Sequence, residues 1–369
     1  MTKEDLKIMQ GWSFERKIQV SQTRIMEWYM HYEGKVYVGF SGGKDSTVLR
    51  DLVRRIYPDV PGVFADTGLE YPSIRSFVKS CENVTWIRPE MNFKKVIETY
   101  GYPVISKDVS KIVYGARHGL TEKSRQNYLN RFDGLNPDGT YSDYKQMYKK
   151  YKYLLDAPFE MSNRCCLIMK EAPFRKYERE TGRKGIVGTM ATESKQRRDG
   201  WLKTGCNAFD ANVPLSKPMS FWTEQDVLRY LKQFNIPYAD AYGDIVEESG
   251  KFKTTGLDRT GCMFCAYGSH LDPKPNRFQK MKEGYPKQYN FCIGGGEYVW
   301  EGTAYTSSGE PREIQWINDD NSPMSKDEIE AFVNENKDDE GFKFIRKWVP
   351  SKNGLGMSTV LDYIGVKYD

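Results

Sequence analysis

The residues best equipped for chemistry lie between Val38 and Leu49, in the run VGFSGGKDSTVL. Gly42 and Gly43 allow a tight turn after an apolar stretch. The backbone amides of such a turn converge as an anion-binding nest at the positive end of the helix that follows. Ser41, Ser46 and Thr47 add hydroxyl donors, and Lys44 adds positive charge. This is equipment for phosphate. It is not the Gly-x4-Gly-Lys-Ser/Thr loop, because Val38 stands where the first glycine belongs and Asp45 where a hydroxyl belongs. A carboxylate repels phosphate unless it holds Mg²⁺ or caps the helix. A plain strand–helix turn with Asp45 as its cap is therefore the structural alternative.

A second set of reactive groups is the cysteines. Four of the seven form two pairs, Cys165-Cys166 and Cys262-x-x-Cys265. Cys-x-x-Cys is a good two-point clip for zinc or an iron–sulfur centre. Adjacent cysteines do not easily reach one tetrahedral ion, so core cysteines plus a redox pair is an equally open reading. Cys81, Cys206 and Cys292 have no partner in the pattern and read as structural. Only three histidines are present, His31, His118 and His270, which leaves little material for histidine catalysis or a histidine zinc site.

These groups need a scaffold, and the chain supplies an alternating one. Residues 1–30 read as an amphipathic helix. Val36–Phe40 is a predicted strand and Ser46–Tyr57 a predicted helix, with Val48, Leu49, Leu52, Val53 and Ile56 on one face. Gly62–Ala65 and Val84–Arg88 follow as strands, and Ser73–Cys81 and Phe93–Tyr100 as helices. Such alternation predicts an α/β fold, a Rossmann-like parallel sheet with helices on both faces. The pattern breaks at residues 104–160, rich in Lys, Arg and Tyr, which read as an insertion or lid. Gly185–Gly188 resumes the core, and Thr223 starts a helix that Pro237 stops. Ser325 and Glu328 form a capping box, and Val360, Leu361 and Ile364 lie at helical spacing near the end. The division along the chain is 1–30 as a helical segment, 31–270 as the alternating α/β region with its insertion at about 104–160, and 271–369 as a C-terminal extension; the family resemblance given below sets the 31–270 bounds and implies that this region binds a nucleotide.

Bulk properties narrow the classes. A chain of 369 residues with 39% hydrophobic and 28% charged content is long enough to bury a sizeable core. No run spans a bilayer and MTKEDLKIMQ lacks the apolar core of a signal peptide, so the expectation is a cytoplasmic protein without membrane contact. The net charge of +5 suits an anionic ligand without demanding nucleic acid.

SGGKDS resembles the pyrophosphate loop of the adenine nucleotide alpha-hydrolase superfamily, and further segments are similar to its phosphoadenosine phosphosulfate (PAPS) reductase family. These are FADTG (Phe64–Gly68), GYPVISKDVS (Gly101–Ser110), GTMATESKQR (Gly188–Arg197) and PMSFWTEQDVLRYL (Pro218–Leu231), over roughly residues 30–270. The resemblance implies an adenine nucleotide, ATP or a sulfonucleotide, bound by Ser41, Gly42, Gly43, Ser46, Thr47, Asp66, Thr67, Gly68, Glu193 and Ser194. It implies Lys44, Asp45 and Arg197 as the catalytic residues, with Mg²⁺ beside Asp45. RCCLIMKEAP followed by Cys-x-x-Cys is similar to the ligand set of a 4Fe-4S cluster, which implies Cys165, Cys166, Cys262 and Cys265 as its ligands.

Two departures redirect the expected activity. The reductases of this family carry a nucleophilic cysteine in a mobile tail, and here no cysteine follows Cys292. Their arginine loop has an arginine where Met190 stands, and a thioether cannot replace a bidentate guanidinium. The expectation is an ATP-dependent adenylating or sulfur-transfer enzyme of the ATP pyrophosphatase type with an iron–sulfur cluster. The alternatives are a divergent reductase using an external thiol, and a non-catalytic nucleotide-binding component of a sulfur-handling or defence complex. A sulfur donor of the cysteine desulfurase type and a nucleic-acid or small-molecule acceptor are the implied partners. Oligomeric state is left open. Finally, TYSDYKQMYKKYKYLL interleaves Tyr141, Tyr144, Tyr148 and Tyr151 with Lys145, Lys149 and Lys152. That suits either a nucleic-acid surface or an amphipathic helix with a buried tyrosine face.

Overall fold

The protein is described by a computed structural model over Met1–Asp369. Two compact units result, Met1–Phe93 with Cys166–Met263, and Lys94–Cys165 with Phe264–Asp369. These units cut the chain at other places than the sequence division, since the 104–160 insertion and the C-terminal extension fall within one of them. No helix is long and apolar enough to cross a membrane.

The first unit begins with two helices, α1 (Lys3–Gln10) and α2 (Phe14–His31), where the sequence predicted one. Thr2 and Ser13 each cap an N-terminus with a side-chain oxygen, so the chain restarts after Gly11. The strands are β1 (Val36–Gly39), β2 (Gly62–Ala65), β3 (Val84–Ile87), β4 (Lys184–Val187), β5 (Asn207–Ala208) and β6 (Leu215–Ser216). They form one six-stranded sheet in the order β3-β2-β1-β4-β6-β5. All neighbours are parallel except the β5–β6 pair. Val38 pairs with both Gly62 and Ile186, so β1 is central. Its Val36 and Val38 are fully buried among Ile25, Trp28, Leu49, Leu52 and Ile186.

Helix α3 (Lys44–Arg54) starts two residues before the predicted Ser46. Gly43 is its N-cap and no side chain caps it, so Asp45 is not the cap the structural alternative required. Helix α4 (Pro72–Ser80) follows β2. Helix α5 (Lys195–Thr204) is capped by Ser194, and α6 (Glu224–Gln233) starts at Thr223 as predicted, with a full Thr223–Asp226 capping box. A buried ion pair ties the N-terminal helices to α6, with Lys17 Nζ 2.7 Å from Asp226 Oδ2.

The second unit combines helices Lys107–His118 and Glu122–Phe132, a 3-10 helix Asp143–Asp156, and an antiparallel sheet of Gly296–Tyr305, Pro311–Glu313 and Phe342–Pro350. The Ser325–Glu328 capping box opens helix Lys326–Asn336, and helix Met357–Tyr363 near the end buries Val360 and Leu361, both as read from sequence. The Arg117 guanidinium donates to the carbonyls of Leu154, Leu155, Ala157 and Phe159, binding the insertion's segments to one another.

Beside it, Glu160 lies 2.8 Å from His118 Nε2 and 3.0 Å from Lys347 Nζ. Burial alone would raise this carboxyl, but His118 and the Lys347 ammonium outweigh it and hold Glu160 down at about 2, against an ordinary 4.5. A depressed carboxyl stabilises the fold above its unfolded value and loses that contribution as pH falls through the folded one. Glu160→Gln is therefore expected to cost about 2 kcal/mol at pH 7, after discounting for partial exposure. In denaturant titrations the gap to the parent should close between about pH 4.5 and 2. A gap independent of pH would refute this assignment.

Candidate functional site

At the C-terminal ends of β1, β2 and β4 the first unit opens into a cavity of about 590 Å³. The chain winds outward from β1 to β3 and returns to the other side of β1 at β4, so β1 is the switch point where open α/β sheets hold ligands. The floor is the glycine loop. Gly42 takes φ +71°, and a Cβ there would lie 2.6 Å from Val78 Cγ2 and 2.8 Å from Ile74 Cγ2 on α4. Only glycine satisfies both conditions. The loop hydroxyls hold the loop: Ser46 Oγ donates to Gly43 O at 2.9 Å, and the Ser41 amide donates to Ser46 Oγ at 3.2 Å.

Lys44 is buried and occupied. Its Nζ donates to Asp258 O at 2.7 Å and pairs with the Glu224 carboxylate. Its backbone amide donates to Tyr242 OH at 3.2 Å, and Tyr242 shares a 2.5 Å contact with Thr260 Oγ1. Asp45 is the contrast. Its Oδ1 is buried with no hydrogen-bond partner. Burial first, and the Glu193 charge next, push its carboxyl up to about 6. Glu193 accepts the Met190 amide at 2.7 Å and pairs with Arg197. Around the cavity, five carboxylates (Asp45, Glu70, Glu193, Glu224, Asp258) face four cations (Lys44, Lys170, Arg197, Arg259).

Of the predicted site residues, Ser41, Gly43, Lys44, Asp45, Ser46, Glu193 and Arg197 line this cavity. The others do not. Gly42 backs onto α4, and Thr47 Oγ1 donates to Gly43 O at 3.0 Å inside the first turn of α3. Asp66 is clamped by Arg75 through two 2.9 Å hydrogen bonds, with Arg88 at 3.5 Å. Thr67 Oγ1 donates to Glu70 at 2.6 Å and so acts on the cavity through Glu70. Gly68 is an exposed φ +75° turn, and Ser194 accepts the Arg197 amide at 3.2 Å as a cap. Glu224, Tyr242, Thr260, Asp258, Arg259, Lys170 and Glu70 were missed. DRTG (Asp258–Gly261), charged and hydroxyl-bearing just before the Cys-x-x-Cys, was the available signal for three of them.

Cys166 and Cys262 both act on Lys170 within the first unit, while Cys165 and Cys265 belong to the second. Cys262 first, and Glu70 after it, hold the Lys170 ammonium above its ordinary value, and burial raises the Cys262 thiol. No three His, Cys, Asp or Glu side chains are arrayed to hold a metal ion. No cysteine or histidine lines the cavity.

A mostly parallel sheet with its winding reversed at a glycine loop, under a charged cavity, is the arrangement of a nucleotide-binding α/β fold. The chain belongs to the family of the phosphoadenosine phosphosulfate reductase domain, whose model matches residues 35–113 and 119–266. It is 24% identical over 281 residues to an uncharacterized protein of Methanocaldococcus jannaschii, covering 75% of this chain and 52% of that one, so it spans about half the length of this relative. It is 23% identical over 220 residues to the adenosine 5′-phosphosulfate reductase of Staphylococcus haemolyticus, covering 58% of this chain and 68% of the relative. Among solved structures it is similar to the phosphate complex of PAPS reductase from Candida auris, at 12% identity and a TM-score of 0.34, covering 68% of this chain and 98% of that one. A Candida glabrata FMN adenylyltransferase has 11% identity and a TM-score of 0.33, covering 64% and 65%.

Proposed function

We propose that the cavity takes ATP with Mg²⁺ and that the chain is an adenylating, sulfur-transferring enzyme of the ATP pyrophosphatase type. The observation that carries this reading is the charge balance of the cavity. Five carboxylates against four cations cannot neutralise a triphosphate, and the orphaned Asp45 Oδ1 supplies an oxygen ligand for a hard cation. Mg²⁺, held by Asp45, would neutralise charge on the pyrophosphate.

The protein groups do the positioning. The Lys44 amide at the N-terminus of α3 would reach a phosphate by exchanging its contact with the Tyr242 hydroxyl, and Arg197 reaches the cavity from α5. Lys44 reaches phosphate by exchanging its contact with Glu224, whose side chain is half exposed. An acceptor oxygen attacks the α-phosphorus, the bond to the bridging oxygen breaks and pyrophosphate leaves. The outer sulfur of a persulfide on a donor protein of the cysteine desulfurase type then displaces AMP from a nucleic-acid or small-molecule acceptor, and an external thiol cleaves the resulting acceptor–S–S–donor disulfide to release the thiolated product.

A 4Fe-4S cluster would be held by Cys165, Cys166, Cys262 and Cys265, and the grouping of Cys166 and Cys262 about Lys170 favours it. Iron and acid-labile sulfide at cluster stoichiometry in anaerobically purified protein are its test, and their absence removes the cluster.

The family match and the staphylococcal relative favour a second reading, reduction of a sulfonucleotide. With no cysteine lining the cavity, the thiol would come from outside. Calorimetry with ATP, adenylylsulfate and its 3′-phosphorylated form decides. Mg²⁺-dependent ATP binding with pyrophosphate release supports adenylation. Preference for the sulfated nucleotides, with sulfite released on adding thiol, supports reduction. ATP binding without pyrophosphate release would indicate a non-catalytic nucleotide-binding component.

A further inference from the structure

We propose that the 3-10 helix Asp143–Asp156 in the second unit is a stacking surface for single-stranded nucleic acid. The inference stands apart from the nucleotide site. Only part of the aromatic face predicted from α-helical spacing forms: Tyr144 meets Tyr148 edge to face with ring centroids 6.2 Å apart. A 3-10 helix has three residues per turn and rises about 2 Å per residue, so residues three apart align about 6 Å from one another. The inner row is Tyr148, Tyr151 and Leu154, with Tyr148 and Leu154 buried. The outer row is Tyr144, Met147, Lys150 and Tyr153, and its Tyr144, Met147 and Tyr153 are 53%, 51% and 42% exposed. Tyr141, just before it, is 63% exposed.

Charge complements this row. Residues 107–152 hold ten Lys and Arg against five Asp and Glu, a net +5 equal to that of the whole chain, so the remainder is neutral and this stretch is the attractor for polyanions. Lys145 is occupied by Leu135 O and Asn136 Oδ1, and Lys152 by Asp133. Lys149 is exposed in the neighbouring row, and Lys150 is exposed within the outer row, its ammonium 5.0 Å from the Tyr151 ring centroid. A duplex keeps its base faces stacked inside and offers only phosphate here. An unpaired strand offers phosphate to the lysines and base faces to rings spaced wider than the 3.4 Å duplex step.

Fluorescence anisotropy of the full chain tests this, using labelled oligo(dT) and oligo(rU) of roughly 15 nucleotides, a duplex of the same length, and poly-L-glutamate as competitor. Binding of either single strand is expected. Tyr144→Ala and Tyr153→Ala should each weaken it roughly 5- to 140-fold, and Tyr→Phe at either site should retain it. Lys149→Ala with Lys150→Ala should flatten the log–log salt slope by about 1.4. Tyr144 packs on Tyr148 and Tyr153 on Tyr363, so thermal midpoints are measured beside each affinity, and the two tyrosines report independently if one variant folds poorly. Binding of neither strand, duplex binding as tight as single-strand binding, equal competition by poly-glutamate, or Tyr→Ala variants of parental affinity would each overturn the proposal.

Discussion

Asp45→Asn is expected to lower Mg²⁺-dependent nucleotide turnover by at least about a hundredfold while leaving the free protein as stable as the parent or more so. The two effects have one origin. In the free protein the Asp45 carboxylate is enclosed, faces Glu193 and has an oxygen without a partner. Its folded value of about 6 lies above the ordinary 3.8. A raised carboxyl contributes stability below its unfolded value and loses it as pH rises through the folded one. Near neutral pH the ionised form therefore costs the fold up to about 3 kcal/mol, which an amide of the same shape avoids. The variant should gain on the parent as pH rises from about 4 to 6, and the two should converge below about 4. In the variant the cation that would make the charge useful loses the one buried, unpartnered carboxylate oxygen of the cavity. Thermal midpoints across pH, with and without Mg²⁺, beside pyrophosphate release, separate the two halves. An Asn variant with parental turnover would show that Asp45 serves neither metal nor nucleotide.

Gly42→Ala is expected to abolish nucleotide binding through the backbone alone, with no change of charge. The left-handed turn costs an alanine about 1–2 kcal/mol, and the new methyl must also displace the Ile74 and Val78 methyls that it would approach within 2.8 and 2.6 Å. Together these predict a loss of about 2–4 kcal/mol of stability, with a loop whose amides no longer converge. Gly43→Ala is the informative neighbour. Gly43 has φ −77°, and a Cβ there meets Tyr242 OH at 3.2 Å and Ser41 Oγ at 3.3 Å, contacts that small side-chain shifts relieve. Calorimetric affinity should fall in the order parent, Gly43→Ala, Gly42→Ala. An inverted order would mean that the loop's floor, and not its turn, governs binding.

The elements whose signals are local were legible before any coordinates. Gly62–Ala65 and Phe93–Tyr100 have the bounds read from apolar pattern, and Ser325–Glu328 forms the box its spacing announced. What was not legible depends on partners far along the chain. Lys44 reads as a free phosphate ligand until Glu224, 180 residues away, takes its ammonium. Asp66 sits at a strand end as expected, but Arg75 turns inward and neutralises it away from the cavity. The tyrosine-rich segment was misread for another reason. Its residue types suit an α-helix as well as a 3-10 helix, and the choice of period moves Tyr144 and Tyr151 from one face to two rows a third of a turn apart.

The pairing of Val36 with Lys184 also bears on how the protein is made. While a ribosome emits residues 40–183, β1 can find β2 and β3 on one side, but its other edge has no strand to meet. At 5–20 residues per second that interval lasts roughly 7–30 s. During it, the strand destined to be the centre of the sheet is an open edge, Val36, Tyr37 and Val38, of the kind that pairs with other chains. Aggregation during synthesis, and reliance on chaperones that shield nascent edges, should therefore track the time taken to reach β4 more closely than the stability of the finished sheet.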